Sequence, residues 1–173
     1  MSQDSSSIIT EEMRSWIGRT TPPRSIEQKT ASDIRRYVDA TGDTNPLWLD
    51  DEYAIAHGYR ARLLPPLLVG WEPFSTRGSD GKETTEDIVK QIPLPPEYTD
   101  ARNANTEIEW LRPVYFGEQF LAQTCIVDIV ARQGKSGIGI YVTREDRILD
   151  SNSEIVLKRQ QTTVRFPSKE KSK

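Results

Sequence analysis

The chain has 173 residues, of which 35% are hydrophobic and 28% charged, and its formal net charge is -3. This length allows one domain with a real core, and the acidic surplus argues against a nucleic-acid partner, because such a partner needs basic groups to neutralise phosphates. The single cysteine excludes an internal disulfide and suits a reducing cytoplasm, the expected location. The longest apolar run, residues 63–71, is too short for a bilayer span of about 20 residues, so no membrane partner is expected.

The composition along the chain predicts three parts. Residues 1–15 are mostly polar and are expected to form an N-terminal arm. Residues 16–166 are expected to form the domain, and the polar residues 167–173 a disordered tail. An edge strand is predicted around Arg24–Gln28, because the two prolines before it would remove hydrogen bonds from the centre of a sheet.

A helix is predicted to begin after Thr30. Thr30 is a good N-cap residue, and Asp33 three positions later completes a capping-box pattern. Gly42 is expected to end the helix in a left-handed conformation. The residues on one face of this helix are Ile34, Tyr37, Val38 and Thr41.

A turn of defined shape is predicted next, since Pro46 keeps Asn45 out of the helical region. A second short helix is expected to be capped by Asp50 or Asp51 and to end at His57, which Gly58 follows.

The segment Pro65–Phe74 is apolar on nearly all sides and predicts a buried central helix. A long loop is expected over Ser75–Asn105. Gly-rich residues 133–137 predict a hairpin connection, and residues 145–152 a polar turn. The predicted strands are Thr106–Tyr115, Gln119–Ala131, Ile138–Arg144 and Ser153–Phe166. The expected fold class is α+β, with an antiparallel sheet of five to six strands wrapped around the central apolar helix.

Two motifs carry a resemblance to a known family. One is Gly42-Asp43-x-Asn45-Pro46, followed by acidic residues and Tyr53-Ala54. The other is the block Asn105–Glu118, which runs through Arg-Pro to Gly-Glu. Together they resemble the MaoC-type dehydratases and hydratases, in particular the accessory, N-terminal type of the fatty-acid-synthase-like dehydratases. The resemblance extends from Trp16 to Phe166 and implies a single hot-dog domain.

The resemblance implies addition of water to a 2-enoyl thioester, or the reverse elimination. In the family an Asp and a His, five residues apart, share the acid–base work around one water. Asp43 occupies the Asp position and is the candidate catalytic residue, but Trp48 occupies the His position. An indole N–H only donates, so it cannot act as the proton carrier. The only histidine, His57, is either a helix-capping surface residue or a replacement base.

The predicted substrate-binding residues are Asn45, Trp48, Pro66, Leu67, Gly70 and Trp71. The resemblance implies that backbone N–H groups at the start of the central helix polarise the thioester carbonyl. Each residue has a structural alternative. Asn45 can satisfy the turn backbone, Trp48 can anchor the turn in the core, and Leu67 and Trp71 can be core residues.

The expected ligand is an acyl-CoA or an acyl carrier protein thioester, with no cofactor. One His and one Cys are too few for a His/Cys zinc site. Since hot-dog domains of this family work in pairs, the chain is expected to need a second MaoC-type chain. The expected role is that of an accessory subunit which shapes the acyl pocket. The alternatives are a self-sufficient homodimeric hydratase that uses Asp43, a non-catalytic acyl-CoA binding module and a hot-dog thioesterase.

Overall fold

The computed structural model describes residues 8–70, 88–135 and 137–168. Its helices in these ranges are α1 (Glu11–Arg14), α2 (Ala31–Thr41), α3 (Pro46–Leu49), α4 (Asp51–Ala56) and α5 (Pro66–Gly70). Its strands are β1 (Arg24–Ser25), β2 (Asp100–Trp110), β3 (Leu121–Gly134), β4 (Gly137–Leu149) and β5 (Ile155–Phe166). No helix in the described ranges is long and apolar enough to cross a membrane.

The strands form one antiparallel sheet in the order β1-β3-β4-β5-β2. Strands β3, β4 and β5 form a meander, and the hairpin predicted at residues 133–137 joins the first two. The two-residue strand β1 lies at one edge, and the eleven-residue strand β2 lies at the other. The predicted α+β class and antiparallel sheet are confirmed, and the predicted edge strand is present as the shorter β1.

The predicted boundaries of the first long strand are wrong. Strand β2 begins at Asp100, inside the predicted loop, and ends at Trp110 rather than at Tyr115. Residues 100–105 are poor strand formers, but they pair with the last residues of β5, with an irregularity between Asn103 and Asn105. This long-range pairing, which no local signal reveals, determines where the strand starts.

The polar turn predicted over residues 145–152 is also placed too early. Strand β4 continues through Glu145 and Asp146 to Leu149, and the turn begins at Asp150. The two acidic residues are tolerated in the strand because each of them pairs with an arginine. Glu145 accepts a hydrogen bond of 2.6 Å from Arg147, and Asp146 pairs with Arg159 of β5.

The apolar residues form two clusters. The first contains Trp48, Val69 of α5 and Ile148 and Leu157 of the sheet. The second contains Ile126, Ile140 and Val142 of the sheet. Alternate residues of a strand share one face, and on β4 Arg144 and Asp146 therefore lie between the two clusters on that face. A polar row thus separates the two apolar regions.

The N-terminal residues in the described range pack onto the second cluster. Met13 of α1 is fully buried there, and Ile9 is buried beside it. Thr10 caps α1 by accepting a hydrogen bond of 3.1 Å from the backbone N–H of Met13. The segment predicted as a polar arm therefore contributes two side chains to the core, whereas the predicted domain boundaries themselves remain predictions.

Local signals place α2 correctly. The Thr30 hydroxyl accepts from the Asp33 N–H at 3.3 Å, and the Asp33 carboxylate accepts from the Thr30 N–H at 2.8 Å, so the predicted capping box is present. The Thr30 hydroxyl also donates to the Asp33 carboxylate at 2.7 Å, and this hydrogen bond and the one from the Thr30 N–H lower the pKa of Asp33. Gly42 ends the helix with a φ of 70°, the left-handed conformation that was predicted.

The central helix is described only over its first turn, α5, where Val69 packs into the first cluster. The predicted helix begins at the expected place, and the rest of it, including Trp71, lies outside the described residues. The predicted burial on all sides of the helix is wrong at Leu67, because this residue is 49% exposed. The described chain covers only one side of this turn.

Candidate functional site

The candidate site is the turn that joins α2 to α3. Asn45 is the N-cap of α3, and its side-chain oxygen accepts from the Leu47 N–H at 3.0 Å. The Asp43 carboxylate accepts from the Asn45 N–H at 3.2 Å through one oxygen. Asn45 therefore satisfies the backbone of the turn, which was one of its two predicted roles, and Asp43 helps to fix the same turn.

The second oxygen of Asp43 accepts a hydrogen bond from the indole of Trp48. The Nε1 to Oδ2 distance is 3.0 Å. The sequence did not predict this contact, because it depends on the one-turn helix α3, which brings residue 48 back over residue 43. The rest of the Trp48 ring belongs to the first apolar cluster, and the residue is 9% exposed. Trp48 is therefore a core anchor whose polar edge faces the candidate carboxylate.

This arrangement limits what the turn can do chemically. Asp43 is half-buried, and each of its carboxylate oxygens already accepts a hydrogen bond, one from a backbone amide and one from an indole. Neither donor ionises near neutral pH, so neither can serve as a general acid or base. The turn thus presents a fixed carboxylate beside a neutral donor, without a titratable partner among its described hydrogen bonds.

His57 makes its described contacts elsewhere. It is the C-cap residue of α4, its Nδ1 lies 2.7 Å from the Tyr53 carbonyl oxygen, and its ring stacks on Tyr53 with centroids 4.0 Å apart. The residue is exposed. This is the placement of a helix-capping surface histidine rather than of a base beside Asp43. The N-cap of α4 is Asp50, one of the two residues predicted for that role.

The predicted pocket residues on the central helix are only partly brought together with the turn. Trp48 and Val69 share the first cluster, and the backbone N–H of Leu63 donates to the Leu47 carbonyl at 2.9 Å. Pro66 is half-buried, and its carbonyl accepts from the Trp110 indole at 3.4 Å. Gly70 is the last residue of α5. The assignment of these residues to substrate binding remains a prediction.

A second polar feature, a groove, was not predicted. It has a volume of about 560 Å³. Arg112 lines the groove and donates to Glu118 at 3.1 Å and to Asp150 at 3.1 Å. Arg60 pairs with the same Glu118 and stacks on Tyr115. The lining residues are Arg60, Arg112, Tyr115, Gly117, Glu118, Gln119, Asp150, Ser151 and Asn152.

Part of the groove could have been predicted from the sequence. Arg112, Tyr115 and Glu118 all belong to the second motif on which the family resemblance depends. Arg60 and Asp150 join them only through the tertiary structure, since they are far away in the chain. Burial lowers the pKa of Arg112, but the hydrogen bonds to Glu118 and Asp150 outweigh it and leave that pKa raised.

The polar row between the apolar clusters includes a buried ion pair, and Arg144 also contacts Asp146 at 3.4 Å. Arg159 is 0% exposed and Asp146 is 1% exposed, and the two form a salt bridge. The Thr124 hydroxyl donates to Asp146 at 2.6 Å. Burial lowers the pKa of Arg159 to about 10, although the carboxylate of Asp146 opposes that shift. Among the described residues no group of three or more His, Cys, Asp or Glu side chains is placed to hold a metal ion.

Comparison with known proteins assigns the family. A family model described as the FAS1-like, dehydratase domain region matches residues 15–159. The chain belongs to this family. A curated relative, the probable enoyl-CoA hydratase alpha subunit of Thermomonospora curvata, is 25% identical over 168 residues, which are 92% of this chain and 52% of that protein.

Solved structures show the same fold. One chain of the ChsH1-ChsH2 complex from Mycobacterium tuberculosis matches with a TM-score of 0.80 at 23% identity, over 94% of this chain and 98% of that one. The MaoC-like dehydratase from Rhodospirillum rubrum matches with a TM-score of 0.60 at 18% identity, over 88% and 94%. The predicted MaoC-type membership and hot-dog fold are thus confirmed, as is the general class of dehydratases and hydratases.

Proposed function

We propose that this chain is the accessory subunit of an enoyl-thioester hydratase or 3-hydroxyacyl-thioester dehydratase. It shapes the acyl pocket, and a second MaoC-type hot-dog chain with an intact Asp and His carries out the proton transfers. The observation that carries this proposal is the hydrogen bond from Trp48 to Asp43. Hydration needs an acid and a base that change protonation state, and the indole supplies neither.

The exposed edge of the sheet supports a pairing with another chain. Most residues of β2 are exposed, and its outer side has no strand neighbour among the described residues. Such an edge is a ready template for a further strand. At its end, Leu67, Trp110 and Leu111 are exposed apolar residues, a combination typical of a surface that another protein covers. The proposed partner-binding surface is therefore the outer side of β2 together with these three side chains.

The assembly named for one structural neighbour fits this arrangement. The ChsH1-ChsH2 structure is a complex, and the Thermomonospora curvata relative is named an alpha subunit.

We place the pair in the cytoplasm, where a chain with the single Cys125 needs no disulfide.

The test is to purify this chain alone and together with a candidate MaoC-type partner, such as the product of a neighbouring reading frame. Hydration of crotonyl-CoA and of longer enoyl-CoA thioesters is then followed by the loss of enoyl absorbance. We expect turnover from the pair and none above background from the lone chain. A partner variant that lacks its own catalytic Asp serves as the matched control and should be inactive in the pair.

The same assay separates the alternatives. Full turnover by the lone chain would establish the self-sufficient homodimer and contradict the accessory role. Saturable acyl-CoA binding without turnover in every pairing would establish a non-catalytic binding module. Release of free CoA would establish a thioesterase.

A further inference from the structure

We propose that the open edge of β2 selects a partner strand with basic side chains over a second copy of this chain. The inference rests on the proposed function for the existence of a partner, and it adds the chemistry by which the partner is chosen. The residues that carry it are Glu107 and Glu109. Both are exposed, and both lie in the half of β2 that ends at the exposed Trp110.

Glu107 and Glu109 share the outer face of the sheet, which is the face turned away from the first apolar cluster. Glu107 lies opposite Gln160 of β5, and Glu109 lies opposite Lys158. Ile108, between them, is on the other face and packs against the first cluster. The two carboxylates therefore follow each other along the edge at which a further strand would be added.

The cations of the neighbouring strands do not neutralise these two carboxylates. Arg147 donates to Glu145 at 2.6 Å and is thus engaged elsewhere. Lys158 lines a small recess together with three glutamates, Glu107, Glu109 and Glu145. Within the described ranges, neither Glu107 nor Glu109 forms a hydrogen bond or an ion pair through its side chain. One lysine shared in this way leaves an excess of negative charge along the edge.

A second copy meets this charge when the two apolar ends cover each other. In a two-fold antiparallel pair of β2 strands centred on Ile108, Glu107 of one copy lies directly opposite Glu109 of the other, and the symmetry repeats the contact. Like charges in directly opposite positions destabilise a sheet. The self-pairing that would cover Trp110 is therefore opposed by two pairs of carboxylates.

A register shifted toward the start of β2 does not remove the conflict. Because of the irregularity in the middle of the strand, the outer face there carries Asp100 and Arg102. A two-fold pairing that keeps both outer faces on one side can set Glu107 opposite Arg102. The same register sets Glu109 opposite Asp100, and it leaves Trp110 beyond the start of the other β2. Arg102 also already has a partner, because it donates to Asp100 at 2.6 Å.

A partner strand with two basic residues removes both conflicts. Lysine or arginine at two alternate positions on the outer face of that strand would lie opposite Glu107 and Glu109, and opposite charges stabilise such cross-strand pairs. The apolar end of β2 stays covered in this arrangement. The edge thus discriminates in favour of a different chain, whereas a second copy binds it only weakly and at high concentration.

The experiment measures self-association and mixed association of the full chain by sedimentation velocity. The proteins are the wild type, the double variant Glu107→Lys/Glu109→Lys, and an equimolar mixture of the two, in which the variant serves as an edge strand with two basic residues. We expect the mixture to form 1:1 dimers with a Kd at least about tenfold below the self-association Kd of either protein. Added salt should reduce this preference, because it screens exposed charges.

The matched control is Glu12→Lys/Glu27→Lys, which changes the same charge at two exposed glutamates outside β2. Its mixture with the wild type should associate no more tightly than the wild type alone. Thermal unfolding of each variant verifies that the exposed substitutions leave the fold intact, so that a change in association reports on the edge.

A wild-type chain that dimerises as tightly as the mixture, or a mixture that associates no more tightly than its components, would overturn the proposal. The outcome is independent of catalysis, because no thioester is present. If the mixture associates preferentially while no pairing hydrates enoyl-CoA, the edge preference stands and the proposed function fails. If a pairing with a second chain hydrates enoyl-CoA and the mixture shows no preference, the reverse holds.

Discussion

Two aspartates of this chain are held in contrasting ways. Asp146, in the middle of the sheet, is 1% exposed and pairs with a buried guanidinium. Asp43, in the turn, is half-buried and accepts hydrogen bonds from neutral donors, an indole and a backbone amide. Deep burial requires an opposite charge, whereas a partly hydrated carboxylate does not. The comparison indicates that Asp43 can have a purely structural role. Its hydrogen bonds to the Asn45 amide and the Trp48 indole hold the turn in place, and neither group can take part in proton transfer.

The largest effect is expected from breaking the sheet pair. Arg159→Leu should lower the free energy of unfolding by about 3–5 kcal/mol, because it removes the buried guanidinium that pairs with Asp146 and leaves that carboxylate only the longer ionic contact with Arg144, at 3.4 Å. Urea unfolding measures the change. The control is the double variant with Asp146→Leu, which should cost clearly less because neither charge remains. A double variant as unstable as the single one would show that the packing of Arg159, rather than the ion pair, matters.

The contrast can be inverted at the turn by giving Asp43 a partner that exchanges protons. In Trp48→His, an imidazole would replace the indole whose nitrogen lies 3.0 Å from the carboxylate. We expect the lone variant chain to hydrate crotonyl-CoA about a hundredfold above the background rate at which the lone wild-type chain remains, the lower end of general acid–base contributions. Trp48→Gln, which keeps a donor without a titratable group, should show no gain. Equal rates for the two variants would contradict the role given to position 48.

The stabilising part of the same hydrogen bond should be measurable separately. Trp48→Phe keeps an aromatic ring in the core but removes the donor to Asp43, and it should cost about 1–2 kcal/mol of unfolding free energy. Trp110→Phe is the matched control, because Trp110 is partly exposed and its hydrogen bond to Pro66 is longer, at 3.4 Å. A control variant that loses as much stability as Trp48→Phe would mean that the turn gains nothing particular from the Asp43 contact.

The smallest effect is expected at Asp43 itself in the assembled enzyme. Asp43→Ala should slow hydration by the reconstituted pair less than about threefold, because the neighbouring Trp48 cannot carry protons. The initial rate with saturating crotonyl-CoA is the measurement. A loss of a hundredfold or more, with the pair still assembled, would make Asp43 a catalytic residue and the accessory proposal untenable.

The sequence predicted best what depends on neighbours in the chain. The capping box at Thr30, the end of α2 at Gly42 and the cap of α4 at Asp50 each need residues within three or four positions, and each is present. The full length of β4 was missed, because a run of charged residues normally indicates a turn. The buried arginine of another strand, which the chain order does not place beside Asp146, makes this carboxylate acceptable inside a sheet.

The candidate site shows the same limit. The motif around Asp43 and Asn45 and the absence of histidine at position 48 were evident from the sequence. The contact between the indole and the carboxylate was not, because the one-turn helix α3 that creates it was not predicted. The groove was missed for a comparable reason, since Arg60, Arg112 and Asp150 meet only in the folded chain.

The long open side of β2 has a consequence for how a cell should produce this protein. An eleven-residue edge whose outer main-chain groups face no strand in the described chain can recruit other copies when the concentration rises. A surplus of this polypeptide over its proposed MaoC-type partner would then be lost to aggregates. We expect matched synthesis of the two polypeptides, as from a shared messenger RNA, to keep it in usable form.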